Sequence, residues 1–121
     1  MSPEVQIAFR GMATSPSAEA QVRRRVEELQ RLSDRVSACR VTLEAAHRHH
    51  RQGNIYHVRV DLAVPGGRIV VKREPGEDHA HEELNVAIRD AFDAVRRRLL
   101  QDHMKRLNGV RKQHGLRQSE Q

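Results

Sequence analysis

Five consecutive residues, His47, Arg48, His49, His50 and Arg51, put three imidazoles and two guanidiniums on one short stretch of chain. Two chemistries use such a set. Guanidinium and imidazolium groups hold phosphate oxygens and stack on unpaired bases, which is how RNA loops and single strands are gripped. Neutral imidazoles ligate metal ions, and His47, His49 and His50 could do so, but their spacing fits no standard zinc pattern. A plain solvated loop is the bland alternative. Imidazoles titrate near neutral pH, so their protonation would add charge to this stretch.

A second concentration lies toward the C-terminus. From Arg96 to Arg117 there are eight basic residues (Arg96, Arg97, Arg98, Lys105, Arg106, Arg111, Lys112 and Arg117) against a single acid, Asp102. So one-sided a charge suits a polyanion, whose condensed counterions are released on binding. The triplet Arg96, Arg97 and Arg98 spans about 200° of a helix at ~100° per residue, so its members cannot all face one partner. Arg98 falls nearest the apolar side set by Val95 and Leu99. Arg23, Arg24, Arg25 and Arg31 form a third group. Arg23 is spaced to pair with Glu27 at i,i+4, while Arg25 flanks an apolar stripe.

Other chemistries find little support. The chain has no Gly-rich phosphate loop and no H-E-x-x-H pair. Its carboxylates are scattered among arginines rather than paired for acid–base work. Cys39, the one cysteine, falls on the apolar side of an alternating segment, where packing explains it better than nucleophilic catalysis. His79 and His81 read as surface or capping residues. His57 and Arg59 point away from Val58 and Val60, and either keep an open sheet face soluble or make it basic. No enzymatic activity, metal or cofactor is expected.

The 121 residues suffice for one domain. Only Phe9, Tyr56 and Phe92 are aromatic, so the core must be built from Val, Leu, Ile and Ala. Net charge is +6, and of the basic residues only Lys72, Lys105 and Lys112 are lysines. A lone cysteine fits a reducing compartment. No apolar run approaches the ~20 residues of a membrane span, and Met1 to Arg10 has no apolar signal-peptide region. The expected location is the cytoplasm, with no membrane and no small-molecule partner.

Hydrophobic periodicity supplies the elements that position these groups. Val5, Ile7 and Phe9 alternate with polar or small residues as a strand ended by Gly11. Ser15 and Pro16 mark a helix start, and Ala18, Val22, Val26 and Leu29 continue a helical stripe over 16–32. Cys39, Val41, Leu43 and Ala45 alternate as a second strand. The polar segment His47 to Asn54 reads as a loop, after which Tyr56, Val58, Val60, Leu62 and Val64 form a third strand. Pro65-Gly66-Gly67 is a hairpin turn, and Ile69 and Val71 belong to a fourth strand. Leu84, Ile88, Ala91, Val95 and Leu99 make a long helix within 77–108, with Gly109 as its stop. The fold class is α+β: a βαβββα order, a four-stranded sheet and two helices packed on one face. The last residues, 109–121, are expected to be a polar, disordered tail.

This ordered set resembles the ribosome hibernation-promoting factor, or ribosome-associated inhibitor, family, also called sigma-54 modulation proteins. The matching features are Ser15-Pro16, Leu32-Ser33-Asp34-Arg35-Val36, Val64-Pro65-Gly66-Gly67-Arg68-Ile69-Val70, Ala87-Ile88-Arg89-Asp90-Ala91-Phe92-Asp93 and Arg96-Arg97-Arg98-Leu99. The resemblance runs over about residues 5 to 107 and implies a ribosome-binding domain at 1–108. Such a domain occupies the mRNA and tRNA channel of the small subunit, contacts ribosomal RNA and blocks translation during dormancy. It also implies that basic side chains on both helices make contacts, with Arg25, Arg97 and Lys105 at such positions. With the local charge patterns, the candidate RNA-binding residues are Arg25, His47, Arg48, His49, His50, Arg51, Arg89, Arg96, Arg97, Lys105 and Arg106. Long-form members carry a further domain that pairs ribosomes; none follows within these residues, so ribosome pairing by this chain alone is not expected. The His/Arg loop and His79-Ala80-His81 depart from the family pattern and suggest a divergent branch. The competing functions are a general RNA-binding or RNA-chaperone module acting away from the ribosome, and a regulator docking an acidic protein.

Overall fold

A computed structural model describes residues 3–33, 35–47, 54–73 and 83–119; for 46, 47, 54 and 106–119 it describes the backbone alone. The elements are β1 (Glu4–Arg10), α1 (Pro16–Leu32), β2 (Ala38–His47), β3 (Asn54–Val64), β4 (Gly67–Arg73) and α2 (Leu84–Ser119). The βαβββα order read from periodicity is therefore the order of the fold.

The four strands form one sheet in chain order, β1-β2-β3-β4. β1 runs parallel to β2, while β2–β3 and β3–β4 are antiparallel. Parallel neighbours need a crossover between them, and α1 supplies it. The register sets Ile7 beside Val41, Val41 beside Val60 and Val60 beside Val71. Because side chains alternate with period two, this alignment gathers every apolar set onto one face. Both helices cover that face: α2 lies against β3 and β4, and α1 against β1 and α2. Val22, Val41, Leu43, Val60, Leu62, Ile88 and Val95 are wholly enclosed, and among the described residues no polar or charged side chain is buried with them. Phe92 is the one buried aromatic residue, so the core is aliphatic as the composition required.

Local chemistry fixes the ends. Ser15 caps α1: its Oγ accepts from the Ala18 backbone N–H at 3.2 Å, and Pro16 occupies the first turn, where its missing N–H costs nothing. Gly11 has φ +66°, and a Cβ there would lie 2.5 Å from the Ala45 carbonyl oxygen. Two reasons therefore demand glycine where β1 ends. Pro65 holds φ near about −65° and Gly66 has φ +84°, a pairing that makes a type II turn.

Four local expectations are corrected. His47 and Asn54 are not loop residues but the last paired rung of β2 and β3. Gly67 opens β4 and does not belong to the turn. The long helix begins at Leu84, not near Glu77: Glu83 is outside it, and its carbonyl accepts from the Val86 and Ala87 N–H groups at 3.1 Å, as a capping residue's does. The same helix runs through Gly109 to Ser119, because one glycine weakens a helix by about 1 kcal/mol without ending it. Its 36 residues span about 54 Å at 1.5 Å per residue.

Candidate nucleic-acid interface

Ala87, Ile88, Ala91, Phe92, Val95 and Leu99 are the buried side of α2, and this fixes what the helix presents outward. Arg89, Arg96, Arg97, Leu100 and Met104 are all exposed and share a sector about 100° wide. Leu100 and Met104 are 42% and 55% exposed, so the cations are interleaved with apolar surface. Arg96 and Arg97 have no ion-pair partner among the described residues, whereas Arg89 lies 3.3 Å from Asp90. Lys105 is exposed too, but it sits about 80° round the helix from Arg97 and opposite Arg96. The structure thus places Arg89, Arg96 and Arg97 together and sets Lys105 apart on another flank. Arg98 shares that flank and donates to the Val70 carbonyl of the edge strand β4, satisfying an acceptor that has no neighbouring strand.

Between the helices runs a groove of about 280 Å³. Leu29, Leu32 and Phe92 line it together with Arg25, Arg31 and Arg96. Gln21 ties the helices at one end, its Nε2 donating to the Asn85 carbonyl at 3.0 Å. Arg25 is mostly covered, with 22% of its side chain exposed, and its Nη1 lies 3.4 Å from Glu28. Its Nε is buried with no hydrogen-bond partner among the described residues. An orphaned donor of this kind costs about 1–3 kcal/mol. Arg23 pairs not with Glu27 but with Glu19, at 3.2 Å. An acid four residues N-terminal to its cation is the better orientation, because each then also suits the helix dipole.

The uncovered sheet face carries a second set of cations. Arg10, Arg40, Arg59, Arg68 and Lys72 line an open groove of about 570 Å³ with His57, Glu44 and Asp61. Arg40 donates to Gln6 Oε1 at 3.0 and 3.2 Å, and Arg68 reaches Asp61 at 3.5 Å. Arg59 stands directly opposite Lys72. Sequence reasoning found His57 and Arg59 but not the group, because alternation within one strand does not reveal which residues of two strands become neighbours.

The remaining candidates divide by position. His47 is in β2, and Arg106 is in α2. Arg48, His49, His50 and Arg51, with His79 and His81, lie outside the described residues. The rung that carries the His/Arg segment, His47–Asn54, is ten residues of β3 from Val64, or about 33 Å. Val64 and Pro65 lie beside Leu99, Asp102 and His103. The His/Arg segment therefore departs from the end of the sheet opposite Leu99. Among the described residues no group of three or more His, Cys, Asp or Glu could hold a metal, and no helix is long and apolar enough to cross a membrane.

Cys39 is 2% exposed. Burial, with Asp61 adding to it, pushes its thiol up from 9.0 to about 12. The thiol form is thus favoured in the fold, and its contribution to stability is complete below pH 9 and lost as pH rises toward 12. At pH 8 the expected result is no reaction with a thiol-specific reagent in native buffer and one equivalent on unfolding; rapid labelling of the native chain would contradict the burial.

Residues 5–107 match the family model described as Sigma 54 modulation protein / S30EA ribosomal protein. Among solved structures, the chain is similar to a ribosomal subunit interface protein from Coxiella burnetii, with TM-score 0.67 and 13% identity, covering 84% of this chain and 98% of that one. It is also similar to the N-terminal domain of Protein Y from Thermus thermophilus, with TM-score 0.56 and 17% identity over 81% of this chain and 94% of that one. At these identities the two structures speak for the fold. A comparison with curated proteins finds no match.

Proposed function

The chain belongs to the Sigma 54 modulation protein / S30EA ribosomal protein family, and on that premise we propose that it is a cytoplasmic ribosome-associated inhibitor that binds small-subunit RNA in the mRNA and tRNA channel. The observation that carries this reading is the outer face of the two helices. Arg96 and Arg97, without ion-pair partners among the described residues, adjoin each other on α2, and Arg96 lines the groove that Arg25 and Arg31 line from α1. Such a face meets phosphates on more than one strand at once, and release of their counterions supplies much of the affinity. The exposed Leu100 and Met104 add contact area that salt does not screen.

The mechanism is steric and involves no bond making. A rigid aliphatic core holds the two helices at fixed spacing, so the domain fills a channel that translating RNA needs. The domain itself is assigned to 1–108. Residues 109–119 extend α2 and, with the basic residues of that stretch, would follow the RNA path out of the channel. His47 to Arg51 would supply a further contact at the opposite end of the sheet.

Competition tests this reading. Small subunits carrying labelled mRNA and tRNA are titrated with the chain. The expected result is displacement of the label at near-stoichiometric protein, with translation restored on dilution into higher salt. Simultaneous binding of chain, mRNA and tRNA would place the protein elsewhere and remove the channel-blocking mechanism.

A further inference from the structure

We propose that the open face of the sheet is a second RNA-backbone-binding surface, centred on Arg59 and Lys72, so that the domain grips phosphates from both of its broad sides. The inference rests on the reading that the chain's polyanion is ribosomal RNA. Arg59 on β3 and Lys72 on β4 are Cα partners in the register, which puts their Cβ atoms about 5 Å apart on one face. Like charges directly opposite each other destabilise a sheet. Among the described residues neither has an ion-pair partner, although Asp61 is close by in the same groove and is held instead by Arg68 at 3.5 Å. A fold tuned only for stability would place opposite charges on this rung.

The surroundings identify the ligand class. Arg10 and Arg40 extend the cations across the groove to β1 and β2, giving a band that runs across the strands rather than a single anion pocket. The aromatic residue of β3, Tyr56, lies on the other face, in register with Ala45 and packed against the core. Among the described residues the open face therefore offers no Phe, Tyr or Trp ring for a base to stack on, the usual way a sheet reads single-stranded RNA, and the ring it does carry is His57. The cations outnumber the rings in this groove, so its main complementarity is to a run of phosphates, insensitive to sequence. The helical face and the sheet face lie on opposite sides of the core, so two RNA segments flanking the domain would be held at once. Binding at one would raise the effective concentration at the other.

Lys72→Glu tests the proposal, because it sets a carboxylate opposite Arg59 and turns a repulsive rung into an attractive one. The expected result is an unfolding temperature equal to or above that of the unaltered chain. Affinity for small ribosomal subunits falls about tenfold, and the slope of log affinity against log salt shrinks by about 1. Lys72→Arg, which keeps the charge, retains affinity. Unaltered affinity and slope for Lys72→Glu would overturn the sheet surface, whatever the helical variants do. The same titration against protein-free duplex RNA separates this inference from the ribosomal reading. A chain that ignores subunits but still needs Lys72 for duplex RNA keeps the sheet surface and loses the ribosome as its partner.

Discussion

Arg96→Glu combined with Arg97→Glu is expected to weaken binding to the small subunit about 100-fold, at ~1.4 kcal/mol for each charge-assisted contact removed. The salt dependence should shallow by about 2 in the log–log slope, one for each phosphate lost. Both side chains are exposed; Arg97 lies on the far side of α2 from Val95 and Leu99, and Arg96 at the rim of the groove between the helices. Glutamate matches arginine in helix propensity, so circular dichroism should be unchanged. The new carboxylates near Asp93 cost only about 0.2–0.5 kcal/mol of helix stability. Lys105→Glu, on another flank of the helix, should weaken binding less than either of these. Equal losses at Lys105 and Arg97 would mean that the RNA wraps the helix rather than lying on one face of it.

Gly11→Ala is expected to destabilise the fold by about 1–3 kcal/mol from backbone strain alone. The added Cβ also meets the Ala45 carbonyl oxygen at 2.5 Å, and that atom is backbone, held in the β2–β3 ladder. It cannot turn away as a flexible side chain would. For a domain of this size each kcal/mol lowers the unfolding temperature by about 4–8 °C, so a loss near 10 °C or more is expected by calorimetry. Retention of the unaltered melting temperature would mean that β1 leaves the sheet by a different path.

These two results rest on different levels of legibility. The elements could be read because each announces itself within a few residues. Alternation in Tyr56 to Val64 and the Ser15-Pro16 cap are local signals, and local signals survive into the fold. The one-sided apolar faces also required that both helices cover the same side of the sheet. What could not be read was set by distances along the chain. The pairing of Arg59 with Lys72 depends on the β3–β4 register. Gly11 looked like an ordinary strand ending because its neighbour, Ala45, is thirty-four positions away.

The candidate site shows the same division. That α2 would be basic was plain from Arg96 to Lys105. That Arg96 and Lys105 face opposite ways follows from helical geometry once the buried stripe is known. Arg25 was expected on the flank of α1 and is there, but its buried Nε and its place in the groove beside Phe92 depend on how α1 and α2 pack. Nothing in the first helix alone announces that groove.

The most direct test of the central claim is sedimentation of the purified chain with vacant ribosomes and with separated subunits through sucrose gradients at low and high salt. One chain per small subunit is expected at low salt, none on the isolated large subunit, and release as salt rises. No cosedimentation at low salt, or equal loading of both subunits, would contradict the claim. Family membership would then stand for the fold alone, and the partner would have to be sought among free RNAs and acidic proteins.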